Sequence, residues 1–114
     1  MDNRDRQMIL HIKTYCEDIA RSIQRFGEDY ETFSVDTDFF NSVSMSIMQI
    51  GELSLGLSDE FKDGTRDKMQ WGMMRGMRNM YAHEYKKMDK LTIWETATKD
   101  IPHLLTFCEG VIKT

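Results

Sequence analysis

Residues 8–27 read MILHIKTYCEDIARSIQRFG, with apolar side chains at Met8, Ile9, Ile12, Cys16, Ile19, Ile23 and Phe26. Steps of three and four place all of them on one face of an α-helix, which turns once in about 3.6 residues. Lysine, glutamate, aspartate and arginine fill the positions between, as expected of a solvated face. Gly27 ends the pattern, because a residue without Cβ readily takes the backbone turn that stops a helix. A strand would need strict alternation, and β-branched alternation is almost absent from the chain.

The helical spacing continues outward from this stretch. A short aromatic link, DYETF at 29–33, leads to a second helix opened by Asp36 or a neighbour. Its main stripe is Phe40, Val43, Ile47, Ile50 and Leu57, and Met45, Met48 and Leu55 form a second apolar edge. A helix apolar on two sides must touch two partners. Ser58-Asp-Glu is a good helix opening, and DGT at 63–65 ends that piece quickly.

A third main helix is expected from about Asp67 into residues 78–85, with Met69, Met73, Met77 and Met80 as its core face. A fourth starts near Asp89 and carries Leu91, Trp94, Ala97, Ile101, Leu104, Leu105, Cys108, Val111 and Ile112. Pro102 lies inside that pattern, so a kink or restart is expected there. The fold predicted is an all-α, up-and-down bundle of four to five helices in one domain spanning residues 1–114.

Composition narrows the function. Apolar residues make up 40% of the 114 and charged residues 30%, which suits a globular chain. The net charge of −4 advertises no general affinity for nucleic acid, so any RNA-binding charge must be local. Cys16 and Cys108 are too few for a disulfide framework or a zinc site; both read as buried free thiols of a reducing compartment. No leader and no apolar run near eighteen residues is visible, so a cytoplasmic protein with no membrane partner is expected. No histidine shares metal-ligand spacing with a carboxylate, and neither a metal nor a cofactor is assigned.

The chemistry concentrates in RNMYAHEY, residues 78–85. Projected at about 100° per residue, Gly72, Gly76, Asn79 and His83 share an arc of roughly 60°, and Arg78 lies about 140° from His83. Two glycines cost a helix about 1 kcal/mol each relative to alanine, tolerable where something approaches the backbone closely. A second copy of the chain packed across Gly72 and Gly76 would bring two copies of His83 together.

Those residue types suit RNA cleavage without a metal. Imidazole titrates near neutrality and can act as base for a 2′-hydroxyl or acid for a leaving 5′-oxygen. The Arg78 guanidinium offers a planar fork to phosphate oxygens, and Asn79 can orient the histidine or donate to phosphate. Arg75, Lys86 and Lys87 add the local positive charge the whole chain lacks. An R-x(4)-H spacing also arises by chance, and a polar cluster at a helix end is usually a cap. Spacing alone does not decide between them.

The same residues closely resemble the HepT-like ribonuclease toxins of the HEPN superfamily. That branch carries R-x(4)-H-x-Y, matched by Arg78, His83 and Tyr85, with asparagine after the arginine as Asn79. IGELSLGLSDEF at 50–61, GMRNMYAHEY at 76–85 and LTIWETATKDIPHLL at 91–105 extend the likeness over nearly the whole chain. One departure is KMQWG at 68–72, with Gln70 where the family often has proline before tryptophan, which favours an earlier helix start or a straighter helix.

The resemblance implies a helical homodimer whose two R-x(4)-H motifs line one cleft. It implies a metal-independent endoribonuclease with Arg78 and His83 as the active pair. It also implies a cognate partner, a minimal nucleotidyltransferase antitoxin, able to transfer AMP from ATP to Tyr85. An anionic adduct beside Arg78 would occupy the phosphate site and repel RNA. The competing reading is a non-catalytic helical subunit of a two-protein nucleotidyltransferase, in which the motif holds a nucleotide or the partner. A purely structural helical dimer is a third reading, and it leaves the four polar residues unexplained. His11 and His103 lack partner motifs and read as surface or filler, Glu52 as a solvated carboxylate, and the ten methionines as packing.

Overall fold

The computed structural model describes residues 1–74 and 89–113. The described residues are helical and contain no strand. Helix α1 (Asn3–Phe26) is followed by α2 (Tyr30–Val35), α3 (Thr37–Leu55) and α4 (Asp59–Gly64). Residues 71–74 are helical. Helix α5 (Lys90–Glu95) then runs through a π-turn (Thr96–Asp100) into α6 (Ile101–Ile112).

The decisive stretch behaves as its spacing predicts. Ile9, Ile12, Cys16 and Ile19 are buried along one face of α1. Each such aliphatic side chain taken fully from water stabilises the fold by about 1.5–3 kcal/mol. Asp2 caps the helix by accepting from the Asp5 N–H at 2.7 Å. Gly27 ends it at φ +101°, its N–H donating to the Ile23 carbonyl at 2.8 Å. Any residue with a Cβ is strained in that conformation.

Helices α3 and α6 both pack against α1. The α1–α3 pair is antiparallel, since Ser22 meets Ser42 near one end and Asp5 meets Ser58 near the other. Between them Gly56 lets α1 come close: a Cβ there would lie 3.3 Å from Met8 Cε. Asp36, Ser58 and Asp89 cap α3, α4 and α5 by accepting from Phe39, Phe61 and Leu91 N–H groups. These openings stand where the sequence puts them.

Packing changes three details. The aromatic link is itself a helix, α2, because Phe33 is fully buried with ring centres 5.2 Å from Phe39 and 5.0 Å from Trp94. Phe39 rather than Phe40 is the core residue of α3, stacked on Phe26 at 4.8 Å. The expected second apolar edge of α3 is also different. Met45 is exposed, while Ser44, Ser46, Gly51 and Ser54 are buried, since small residues allow neighbouring elements to approach.

Pro102 acts one turn ahead of itself. It has no N–H for the Thr98 carbonyl, so the backbone widens to a π-turn in which the Ile101 N–H reaches back to Thr96. The break lets the continuous α5–α6 rod keep Ile93, Trp94, Ala97, Ile101, Leu104 and Cys108 in the core. Leu91, expected inside, is exposed at the start of α5.

Candidate functional site

Two aromatic clusters fix the chain on either side of the sequence motif. Before it, Trp71 packs between Phe61 and Phe107, with ring centres 6.0 and 5.7 Å away. The Trp71 indole N–H donates to Thr65 Oγ1 at 2.9 Å, and the Thr65 carbonyl accepts from the Lys68 and Met69 N–H groups. These bonds hold residues 65–68 as a turn, so the helix starts at residue 71 and not near Asp67. Gln70 does not carry the helix back past Trp71.

The late start resets the helical phase. Trp71 and Met74 are buried, whereas Met73 is 41% exposed. Met69 is buried too, but it reaches the core from the turn. The expected Met69–Met73 core stripe is therefore replaced at this end by Trp71 and Met74. The indole, with the largest area to remove from water, decides which side faces in.

After the motif, Asp89 caps α5 and the Lys90 ammonium donates to the Ser34 carbonyl at 2.7 Å while lying 5.2 Å from the Phe40 ring centre. Trp94 then enters the cluster of Phe33 and Phe39. Both tryptophans thus anchor flanks of the segment that carries the motif.

The motif lies between these anchors in sequence. Arg75, Gly76, Arg78, Asn79, His83, Tyr85, Lys86 and Lys87 lie outside the described residues. Gly72 lies inside them. It is exposed, and a Cβ built on it meets nothing within 4 Å. Nothing in the described chain requires a glycine at that position.

Away from the motif, Cys16 and Cys108 are fully buried free thiols. Burial pushes the Cys108 thiol up to about 12, only partly opposed by Lys13. Burial, and then the neighbouring Cys108, push Cys16 higher still. Such thiols are poor nucleophiles, which removes both from the list of reactive groups. His11 and Glu52 are exposed. No three His, Cys, Asp or Glu side chains among the described residues are grouped so as to hold a metal ion. No helix among them is long and apolar enough to cross a membrane.

A feature the sequence reading missed adjoins Trp71. A cavity of about 350 Å³ opens among residues 66–70, Met73, Met74, Asp100 and His103. His103, read from sequence as surface or filler, is exposed on its rim. No local pattern signals the cavity, because His103 stands 35 residues from the Lys68 carbonyl it faces at 3.4 Å.

Comparison with known proteins adds the family. The protein named "Putative RNase TTE0752" of Caldanaerobacter subterraneus subsp. tengcongensis is 32% identical over 99 residues, 87% of this chain and 86% of that one. Those named "Putative RNase MJ0125" and "Putative RNase MJ1216" of Methanocaldococcus jannaschii are 29% and 28% identical over 114 residues. The two alignments each cover 99% of this chain, and 96% and 92% of the respective relatives. No solved structure matches the chain. The family model described as ribonuclease HepT-like matches residues 12–111. This all-α chain belongs to the HepT-like ribonuclease family.

Proposed function

We propose that the protein is a metal-independent endoribonuclease toxin acting through Arg78 and His83. The observation that carries this reading is the family match over residues 12–111, a span containing the entire R-x(4)-H-x-Y stretch. Support also comes from Trp71 and Trp94, whose clusters anchor both flanks of that stretch. Packed flanks on both sides of a site suit a reaction that depends on positioning.

In this reading a homodimer assembles across Gly72 and Gly76, and its two copies of His83 divide the proton transfers. One removes the proton from a ribose 2′-hydroxyl, whose oxygen attacks the adjacent phosphorus. The other gives a proton to the departing 5′-oxygen, leaving a 2′,3′-cyclic phosphate. Arg78 stabilises charge on the phosphate oxygens, Asn79 supports the pair, and Arg75, Lys86 and Lys87 draw in the RNA. A cognate minimal nucleotidyltransferase silences the toxin by placing AMP on the Tyr85 oxygen, with pyrophosphate leaving ATP. The reaction belongs to the cytoplasm, where RNA and ATP meet.

The test is cleavage of RNA by purified protein in EDTA, beside a folded His83→Ala control and an intact mass. Cyclic-phosphate ends, with cleavage at least about 100-fold slower in the variant, are expected. Adduct-free protein that cleaves none of a varied set of RNAs would instead establish a non-catalytic subunit.

A further inference from the structure

The cavity beside Trp71 joins three chemistries. Its apolar wall is the Met73 thioether, 41% exposed. Its rim carries Arg66, Asp67 and Lys68, on the turn that precedes the helical residues. Across the mouth stand Asp100 and His103, from the π-turn and the first turn of α6.

Asp100 is the telling group. Although it begins α6, its carboxylate makes no hydrogen bond to the helix end. No ion pair among the described residues engages it. Arg66 is tied to Asp63 at 2.7 Å, whereas no ion pair engages Lys68. A half-buried acceptor, a cation and a thioether wall therefore face one space.

We propose that this cavity is a single-nucleotide subsite for the RNA strand. The base lies against Met73, Asp100 accepts from its amino group, and Lys68 meets a phosphate oxygen. The volume of about 350 Å³ lies at the lower end of ligand pockets, roughly 300–1,000 Å³, and suits one nucleotide rather than a folded partner. Thioether sulfur packs favourably on flat π-systems. The subsite is also close to the motif by chain length alone. Four residues lead from Met74 to Arg78, and a fully extended chain spans at most about 14 Å over four residues.

A carboxylate can only accept. Adenine and cytosine offer exocyclic amino donors, while uracil presents two carbonyl acceptors around its single N–H. The subsite therefore selects amino-bearing bases and disfavours uracil.

The proposal rests on the ribonuclease reading, and the experiment separates the two. Fluorescence anisotropy would follow binding of eight-nucleotide oligo(A), oligo(C) and oligo(U) to cleavage-deficient His83→Ala protein. Oligo(A) and oligo(C) should bind about tenfold tighter than oligo(U), and a further Asp100→Ala change should erase that difference by weakening A and C. Lys68→Gln, at an exposed position, should weaken all three about fivefold at 0.1 M salt and lower the salt slope by about 0.7. A solvated carboxylate predicts the opposite sign, since removing it would tighten all three RNAs equally. That result, or binding by the parent without base preference, overturns the subsite alone. Failure of the parent to bind any of the RNAs overturns the ribonuclease reading with it.

Discussion

Asp5→Ala should destabilise the protein far more than a surface substitution. The Asp5 carboxylate is 2% exposed. It accepts from the Ser58 N–H at 2.8 Å and the Ser58 hydroxyl at 2.6 Å. Ser58 Oγ in turn accepts from the Phe61 N–H at 3.1 Å, capping α4. One carboxylate near the start of α1 thus holds the opening of α4.

A hydrogen bond to a charged group contributes about 1.5–3 kcal/mol. Ser58 is half-buried, so the lower figure applies, and losing both bonds costs about 3 kcal/mol. An unfolding entropy of about 2.1 cal/mol/K per residue then gives a fall in Tm of about 12 °C for a chain of this length. The assay is thermal unfolding by circular dichroism at pH 7, with Ser58→Ala and the double variant closing a cycle. A coupling of at least about 1 kcal/mol is expected. If Asp5 merely complements the helix dipole, it contributes about 0.3–1 kcal/mol. A fall below about 4 °C, or strict additivity with Ser58→Ala, would refute the latch.

Ser44→Ala should leave stability unchanged or raise it by up to about 1 kcal/mol, because its hydroxyl is buried without a hydrogen bond; a larger loss in urea unfolding would contradict this. Gly72→Ala should not destabilise the isolated chain, since the added methyl meets open space, and helix propensity favours it by up to about 1 kcal/mol. The same change should weaken the proposed homodimer in sedimentation, and an unaffected dimer would remove Gly72 from the interface. The thiols predict an alkaline effect. In the unfolded chain they ionise near the ordinary value of 9.0, but burial keeps Cys108 protonated to about 12 and Cys16 beyond that. Their stabilisation is therefore complete below pH 9 and is lost as pH rises towards 12, by up to about 1.4 kcal/mol per unit per thiol. Cys108→Ala should shallow that decline in urea unfolding measured against pH, and an unchanged slope would refute it.

What the sequence by itself determined is what neighbours along the chain determine. The core face of α1, the stop at Gly27 and the caps at Asp36, Ser58 and Asp89 are relations within about four residues, so periodicity and residue type suffice. The R-x(4)-H-x-Y motif was equally legible, as residue types at a fixed spacing.

Tertiary structure decided what depends on the element opposite. Phe39 and Phe40 are adjacent in a broad apolar stretch, and only the positions of Phe26, Phe33 and Trp94 make Phe39 the buried one. The same competition turned DYETF into the start of α2 and left Met73 exposed once Trp71 had taken the inner position. Asp5 looks like an ordinary first-turn acid until Ser58, 53 residues away, is brought against it. The cavity at Asp100 and His103 is of the same kind, with walls from separate stretches of chain. Local hydrogen bonding fixes where helices begin and end, while the choice among several apolar side chains, and the meeting of distant polar ones, is made by packing.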